Sequence, residues 1–263
     1  MIPRLGFSVL ALALCAGIAQ AQDGPAPEIT ALDMAAPAQM LFIGNSYFYY
    51  NNSLHNHVVR MARAAYPDDK FTFKSATISG AYLRHHDIDS HLVPGQLGLN
   101  DPFDVVILQG HSTAMNTEDK RGNFAEAATA MDAAIRATGA VTALYMTPAY
   151  GKVHKSYDPN MTAMLDAGFT QIGNDLDAIV IPVGLAFAEA YARRPDMALH
   201  KEYDGSHPTL LGTYLAAATV YATLYDASVV GNPYRYFGEI GDADALFLQQ
   251  VAEDTVAAYH ARQ

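Results

Sequence analysis

Three side chains in this sequence have the types and spacing for acyl chemistry. Ser46 stands in "QMLFIGNSYFYYNN", where the apolar run 40–43 stops abruptly at Gly44-Asn45-Ser46. Asp204 and His207 stand three residues apart in "YDGSHPTLLGTYLA", in a turn broken by Gly205 and Pro208. A serine hydroxyl is a weak nucleophile until a base takes its proton, and the base works when a third group orients it. The short Asp204–His207 spacing lets one loop carry both the imidazole and the carboxylate that sets its tautomer. Read alone, Ser46 is a turn residue, Asp204 a helix-start residue and His207 a surface histidine. Read together they are a nucleophile, an orienting acid and a base.

Such residues need a frame that brings distant loops to one place. Five short apolar runs read as buried strands: 40–44, 71–78, 104–109, 141–147 and 178–183. Three of them are continuous rather than alternating, as expected when both faces of a sheet are covered. Helical patterns lie between them at 54–66, 118–138, 160–176 and 185–194, with two more at 209–225 and 243–261. In the 209–225 segment Leu211, Tyr214, Leu215, Ala218 and Ala222 fall on one stripe. Strands alternating with helices imply a parallel sheet covered on both faces. In such sheets a site forms beyond the carboxyl ends of the strands. Ser46 follows the first strand there, Gly80 follows the second, and Gln109-Gly110-His111 follows the third.

These blocks, in this order, resemble the SGNH (GDSL-like) hydrolase superfamily. "FIGNSY" is similar to its first block, with a serine after an Asp or Asn at the end of strand one, and "DGSHPT" to its last, Asp-x-x-His. "TISGAYLRHH" resembles the second block, whose glycine offers a backbone N–H, and "VVILQGHST" occupies the place of the third. The resemblance spans about residues 39–226. It is nearest to a bacterial branch that reads Gly-Asn-Ser-[Tyr/Phe] at the start and Asp-Gly-Ser-His-Pro at the end. It implies a three-layer α/β/α sandwich with a central parallel sheet of about five strands. It also implies a serine esterase with Ser46 as nucleophile, His207 as base and Asp204 orienting it. The oxyanion donors would be the N–H groups of Ser46 and Gly80 plus a third-block side chain. The family's asparagine there falls on His111 in this sequence, with Gln109 as the alternative donor. The implied substrates are short acyl esters or O-acetylated carbohydrates. An acyltransferase with the same triad, or a carbohydrate-binding protein that kept the fold without the chemistry, remain as alternatives.

The rest of the sequence narrows the setting. Residues 1–21 carry Arg4, an apolar segment and the small-x-small site Ala19-Gln20-Ala21, the pattern of a cleaved secretory signal peptide. The single cysteine, Cys15, lies within it, so the mature chain is expected to have no disulfide, thiol nucleophile or cysteine-bound metal. Export to a bacterial periplasm or medium is expected, with no stable membrane span after cleavage. Residues 22–38 are Pro- and Ala-rich and read as a flexible lead-in to one domain, 39–263. The net charge of -11 disfavours nucleic acid as a partner. The expected partner is a small-molecule or carbohydrate ester. His55, His57, His85, His86 and Asp87 lack the i, i+4 spacing of a helical zinc site, so no metal is expected and they read as surface or rim residues. No phosphate-binding glycine loop follows any strand, so no cofactor is expected. The aromatic run Tyr47, Phe48, Tyr49, Tyr50 could pack in the core or stack on a substrate.

Overall fold

A computed structural model describes residues 24–34, 36–225 and 227–263. The expected leader, residues 1–21, and Cys15 lie outside the described residues. Five strands form one sheet: β1 (Gln39–Gly44), β2 (Thr72–Thr77), β3 (Val105–Gln109), β4 (Val141–Tyr145) and β5 (Ile179–Ile181). Their order is β2-β1-β3-β4-β5, and each neighbouring pair is parallel. Side chains of period two separate cleanly onto the two faces. Met40, Phe42, Val105 and Ile107 join one core; Leu41, Ile43, Val106 and Leu108 join the other.

The first core is closed by α2 (Leu54–Ala65), α6 (Val183–Arg193), α7 (Leu210–Leu224) and α8 (Asp242–His260). The second is closed by α4 (Glu118–Ala137) and α5 (Met161–Asp175). One-turn α1 (Ser46–Tyr49) and short α3 (Ile88–Leu92) complete the helices named here. This is the expected three-layer α/β/α sandwich. Thr117 caps α4 by accepting from the Lys120 N–H, and Thr209 caps α7 through the Gly212 N–H.

Two expectations need correction. Helix α7 is not amphipathic: it is buried on nearly all sides, while Leu211 and Ala222 of the expected stripe are only half-buried. The reason is that α2 and α8 both pack against it, so little of its surface meets water. The described part of the lead-in is also not free. Tyr225 donates to the Pro37 carbonyl at 2.7 Å, and Asn174 Nδ2 to the Ala26 carbonyl at 2.9 Å. Ile29, Leu32 and Met34 pack on the first core. Proline-rich composition removes periodicity, but it does not stop apolar side chains from finding a core.

The strand order places a switch point between β1 and β3: the chain leaves β1 toward β2 on one side, then returns to β3 on the other. The loops beyond these two strands therefore diverge and open a crevice.

Beneath the lead-in, Arg262 Nη1 pairs with Asp166 Oδ1 at 2.8 Å, with the carboxylate side chain 1% exposed. Removing one member of a buried pair leaves an uncompensated charge. Arg262→Met should cost about 3 kcal/mol of unfolding free energy, and adding Asp166→Asn should recover most of it. Chemical denaturation of the two variants checks this.

Candidate active site

The end of β1 is shaped by one close approach. A Cβ on Gly44 would lie 2.4 Å from Gln109 Oε1 and 3.0 Å from the Phe48 ring, so only glycine fits. Gln109, at the end of β3, is 1% exposed, and its Oε1 accepts the Asn45 N–H at 2.8 Å. Its amide nitrogen donates to the Gly110 carbonyl. Gln109 is thus spent on bracing the turn. The oxyanion role that the sequence left open for it would compete with these bonds. Asn45 in turn caps α1: its Oδ1 accepts the Tyr47 N–H, and its Nδ2 donates to the Ala81 carbonyl at 3.1 Å. His86 is buried, and its Nε2–H donates to the Gly44 carbonyl at 3.0 Å.

Ser46 opens α1, and its hydroxyl lies 2.9 Å from His207 Nε2. His207 Nδ1 lies 2.6 Å from Asp204 Oδ2. The other carboxylate oxygen, Oδ1, accepts the N–H groups of Ser206 at 2.8 Å and His207 at 3.0 Å. Burial alone would raise the Asp204 carboxyl. The hydrogen bonds from the His207 imidazole and from those two amides outweigh it and hold the group below its usual range. An ionised Asp204 keeps the proton on Nδ1, which leaves the Nε2 lone pair facing the serine hydroxyl. The three residues therefore form one continuous hydrogen-bond chain across 161 positions of sequence.

The loop that carries Asp204 and His207 is closed at its base. His200 and Pro208 form an isolated antiparallel bridge, and the Lys201 N–H donates to the His207 carbonyl at 2.7 Å. The imidazole is also held from the Ser46 side. Tyr50 stacks on it at 4.4 Å and 15°, and Tyr47 meets it edge-on at 5.8 Å. The aromatic run divides: Tyr47 and Phe48 are buried, while Tyr49 and Tyr50 reach the surface. The Tyr47 hydroxyl lies 2.7 Å from Ser206 Oγ.

Asn51, Asn52 and Ser53 follow, all in the left-handed region with φ of 51°, 71° and 67°. Three consecutive non-glycine residues there are strained and persist only when their surroundings hold them. Asn51 Nδ2 donates to the Pro208 carbonyl at 2.9 Å, and the Asn51 carbonyl accepts from His57 Nε2 at 2.7 Å. This turn links the serine helix directly to the histidine loop. His57 is fully buried, with Nδ1 3.1 Å from the Tyr234 hydroxyl. The expectation of surface or rim positions is thus corrected for His57 and His86. Both were recruited inward because a main-chain carbonyl there needs a donor.

Gly80 sits at φ 64° in an exposed turn. Ser79 Oγ accepts from the Tyr49 hydroxyl at 3.1 Å on one flank, and the Ala81 carbonyl accepts from Asn45 on the other. His111 Nδ1 accepts the Thr113 N–H at 3.2 Å, so the ring proton lies on Nε2. Tyr82 stacks on this ring at 4.4 Å. Burial, then Lys120 and His85, lowers the His111 imidazole, so it is the neutral form that is held. Gly80 and His111 stand in the two loops flanking Ser46, and neither is bonded to the Ser46–His207–Asp204 chain. Among the described residues no group of three or more His, Cys, Asp or Glu could hold a metal ion, and no helix is long and apolar enough to cross a membrane.

No family model and no curated protein matches the sequence. Solved structures match the fold. A DUF4886 family protein from Bacteroides uniformis superposes with a TM-score of 0.65 at 17% identity, covering 86% of this chain and 96% of its own. A protein from Slackia heliotrinireducens assigned to the SGNH hydrolases gives 0.56 at 21%, covering 71% and 98%. A catalytic mutant of an acetylxylan esterase from Geobacillus stearothermophilus gives 0.54 at 15%, covering 72% and 95%. The chain has the fold of the SGNH hydrolases, over nearly the full length of these neighbours.

Burial also lowers the imidazoles of His55 and His200 to about 4. The unfolded chain takes up protons on them near pH 6.5 while the folded chain refuses them until about pH 4. Stability should therefore be level above pH 7 and fall as pH drops through that window. The slope is about 1.4 kcal/mol per pH unit for each unmatched proton. Asp204 adds to the loss at still lower pH, because its lowered carboxyl stabilises only while ionised. Denaturation midpoints across pH 4 to 8 check the window.

Proposed function

We infer that this protein is a serine hydrolase of carboxylic esters, with Ser46, His207 and Asp204 as its triad. The observation that carries the reading is the Ser46–His207–Asp204 hydrogen-bond chain, with contacts of 2.9 and 2.6 Å, at the switch point of the sheet. Ser46 Oγ attacks the ester carbonyl as His207 Nε2 takes its proton, and the ionised Asp204 stabilises the imidazolium. The negative oxygen of the tetrahedral intermediate is met by the N–H groups of Ser46 and Gly80 and by the Nε2–H of His111. Among the described residues none of these three donors has a protein acceptor, which is what an oxyanion site requires. Collapse passes the proton from His207 to the departing alcohol and leaves an acyl-enzyme. Water, deprotonated by His207, attacks the acyl carbon, and the acid leaves as Ser46 recovers its proton.

Short acyl esters and O-acetylated carbohydrates are the substrate class. The acetylxylan esterase among the structural neighbours supports it at the level of fold. Exposed aromatics at the rim, Tyr49 at 39% and Tyr203 at 71%, support it chemically, because flat rings receive sugar faces. Export rests on the N-terminal sequence pattern alone.

The test is fluorophosphonate labelling beside hydrolysis of p-nitrophenyl acetate. Wild type should label and turn over. Ser46→Ala should lose the label and about 10⁴-fold or more in kcat. A wild type inert toward a broad ester panel overturns the reading. His111→Ala should lower kcat by about 100- to 1000-fold with its unfolding midpoint unchanged, and His111→Asn, which restores a neutral N–H donor, should recover much of it. An unchanged rate in His111→Ala removes His111 from the oxyanion site.

A further inference from the structure

Behind the loop that carries Asp204 and His207 lies a cavity of about 520 Å³. It opens between the segment that follows β4 and α6 with the loop after it, and Tyr150, Tyr157, Phe187, Tyr191, His200 and Gly205 are among its walls. Its volume falls within the range of small-molecule sites, about 300–1,000 Å³. Hydrolysis of a short acyl ester does not need this space on the acyl side.

The cavity shares walls with the proposed site on two sides. Gly205 lies between Asp204 and Ser206, and its carbonyl accepts the Gly151 N–H at 2.7 Å. A Cβ on Gly205 would lie 2.7 Å from Val153 Cγ2 and 2.9 Å from the His154 nitrogen, at a φ of +62°. The partition between cavity and triad is therefore one backbone thick. On the other side the Tyr150 hydroxyl lies 2.8 Å from Ser112 Oγ, next to His111. Anything seated in the cavity rests against the loop that holds the acid and base.

The lining has a definite chemistry. Three tyrosine rings and Phe187 offer flat apolar surface, and Tyr157 is 42% exposed. Lys152, Lys201 and Glu202 bring polar groups to the same walls. The Tyr191 hydroxyl accepts the His200 N–H at 3.2 Å and lies 2.9 Å from His200 Nδ1. His200 Nε2 is buried without a hydrogen-bond partner among the described residues, and the Ala149 carbonyl stands near the ring. Aromatic faces beside donors and acceptors suit a pyranose ring, whose C–H face is apolar and whose rim is hydroxylated.

We propose that this cavity is a saccharide subsite on the alcohol side of the ester, holding pyranose units that lie beyond the acylated one, past the rim of the histidine loop. It rests on the esterase reading only for its link to turnover. Two variants isolate it: Tyr157→Ala removes a ring at the surface, and Ala188→Phe fills the space from α6. The probes are p-nitrophenyl acetate, which carries no sugar, and acetylated xylo-, manno- and chito-oligosaccharides of about four units. In both variants kcat/KM on at least one oligosaccharide should fall about tenfold or more, mainly through KM, with p-nitrophenyl acetate within about twofold of wild type. Equal losses on both kinds of substrate, or no loss on any oligosaccharide, overturn the proposal. Calorimetric titration of Ser46→Ala protein with the deacetylated oligosaccharides separates the two readings. Binding that Ala188→Phe abolishes supports the subsite even if no ester is cleaved, and no binding of any of the three overturns it.

Discussion

The hydrogen bond from the Asn45 N–H to Gln109 Oε1, 2.8 Å long and wholly buried, is the constraint on which the site depends. It joins the ends of the two strands that flank the switch point, so the serine turn is referenced to β3 as well as to β1. The Gly44 carbonyl is held from two further directions, by the Ile78 N–H at 3.1 Å and by His86 at 3.0 Å. Buried groups of this kind cost about 1–3 kcal/mol each when left unpaired, so alternative conformations of the turn are disfavoured. The absence of a side chain on Gly44 is the steric half of the same constraint, because Gln109 already fills that space.

From this fixed turn the rest of the device is held by contacts that cross between elements. The histidine loop has its own bridge at His200 and Pro208, but its alignment with Ser46 comes from Tyr50 stacked on the imidazole and from Asn51 bonded to the Pro208 carbonyl. The left-handed run 51–53 is the strained part of the arrangement. It is offset by the donors that hold it, chiefly the buried His57. The strain thus sits where the chain must turn from the Ser46 helix toward α2 while staying bonded to the histidine loop.

Legibility of the sequence varied with the range of the interaction. The five strands and six longer helices were readable because each depends on local periodicity, and their bounds fall within a few residues of those observed. Ser46, Asp204 and His207 were nameable because their spacing matched a known pattern and their loops fell on one edge of the sheet. Gln109 was different. As a residue type it could serve as an oxyanion donor or as a brace, and only the tertiary structure shows it buried and bracing Asn45. The same applies to His57 and His86, whose short clusters look like surface histidines until the carbonyls they serve are known. Helix α7 misled because a stripe drawn on one face says nothing about a second helix covering the other.

By itself the sequence determined the alternation of strand and helix, the parallel sheet this demands, and the types and spacing of Ser46, Asp204 and His207. It could do so because hydrophobic period and turn chemistry act over a few residues. Tertiary structure alone decided that Ser46 and His207 meet at 2.9 Å, that His111 is held as a neutral ring with its proton on Nε2, and that a cavity lies behind the histidine loop. These depend on groups far apart in the chain, whose distances are set by how two cores pack around one sheet.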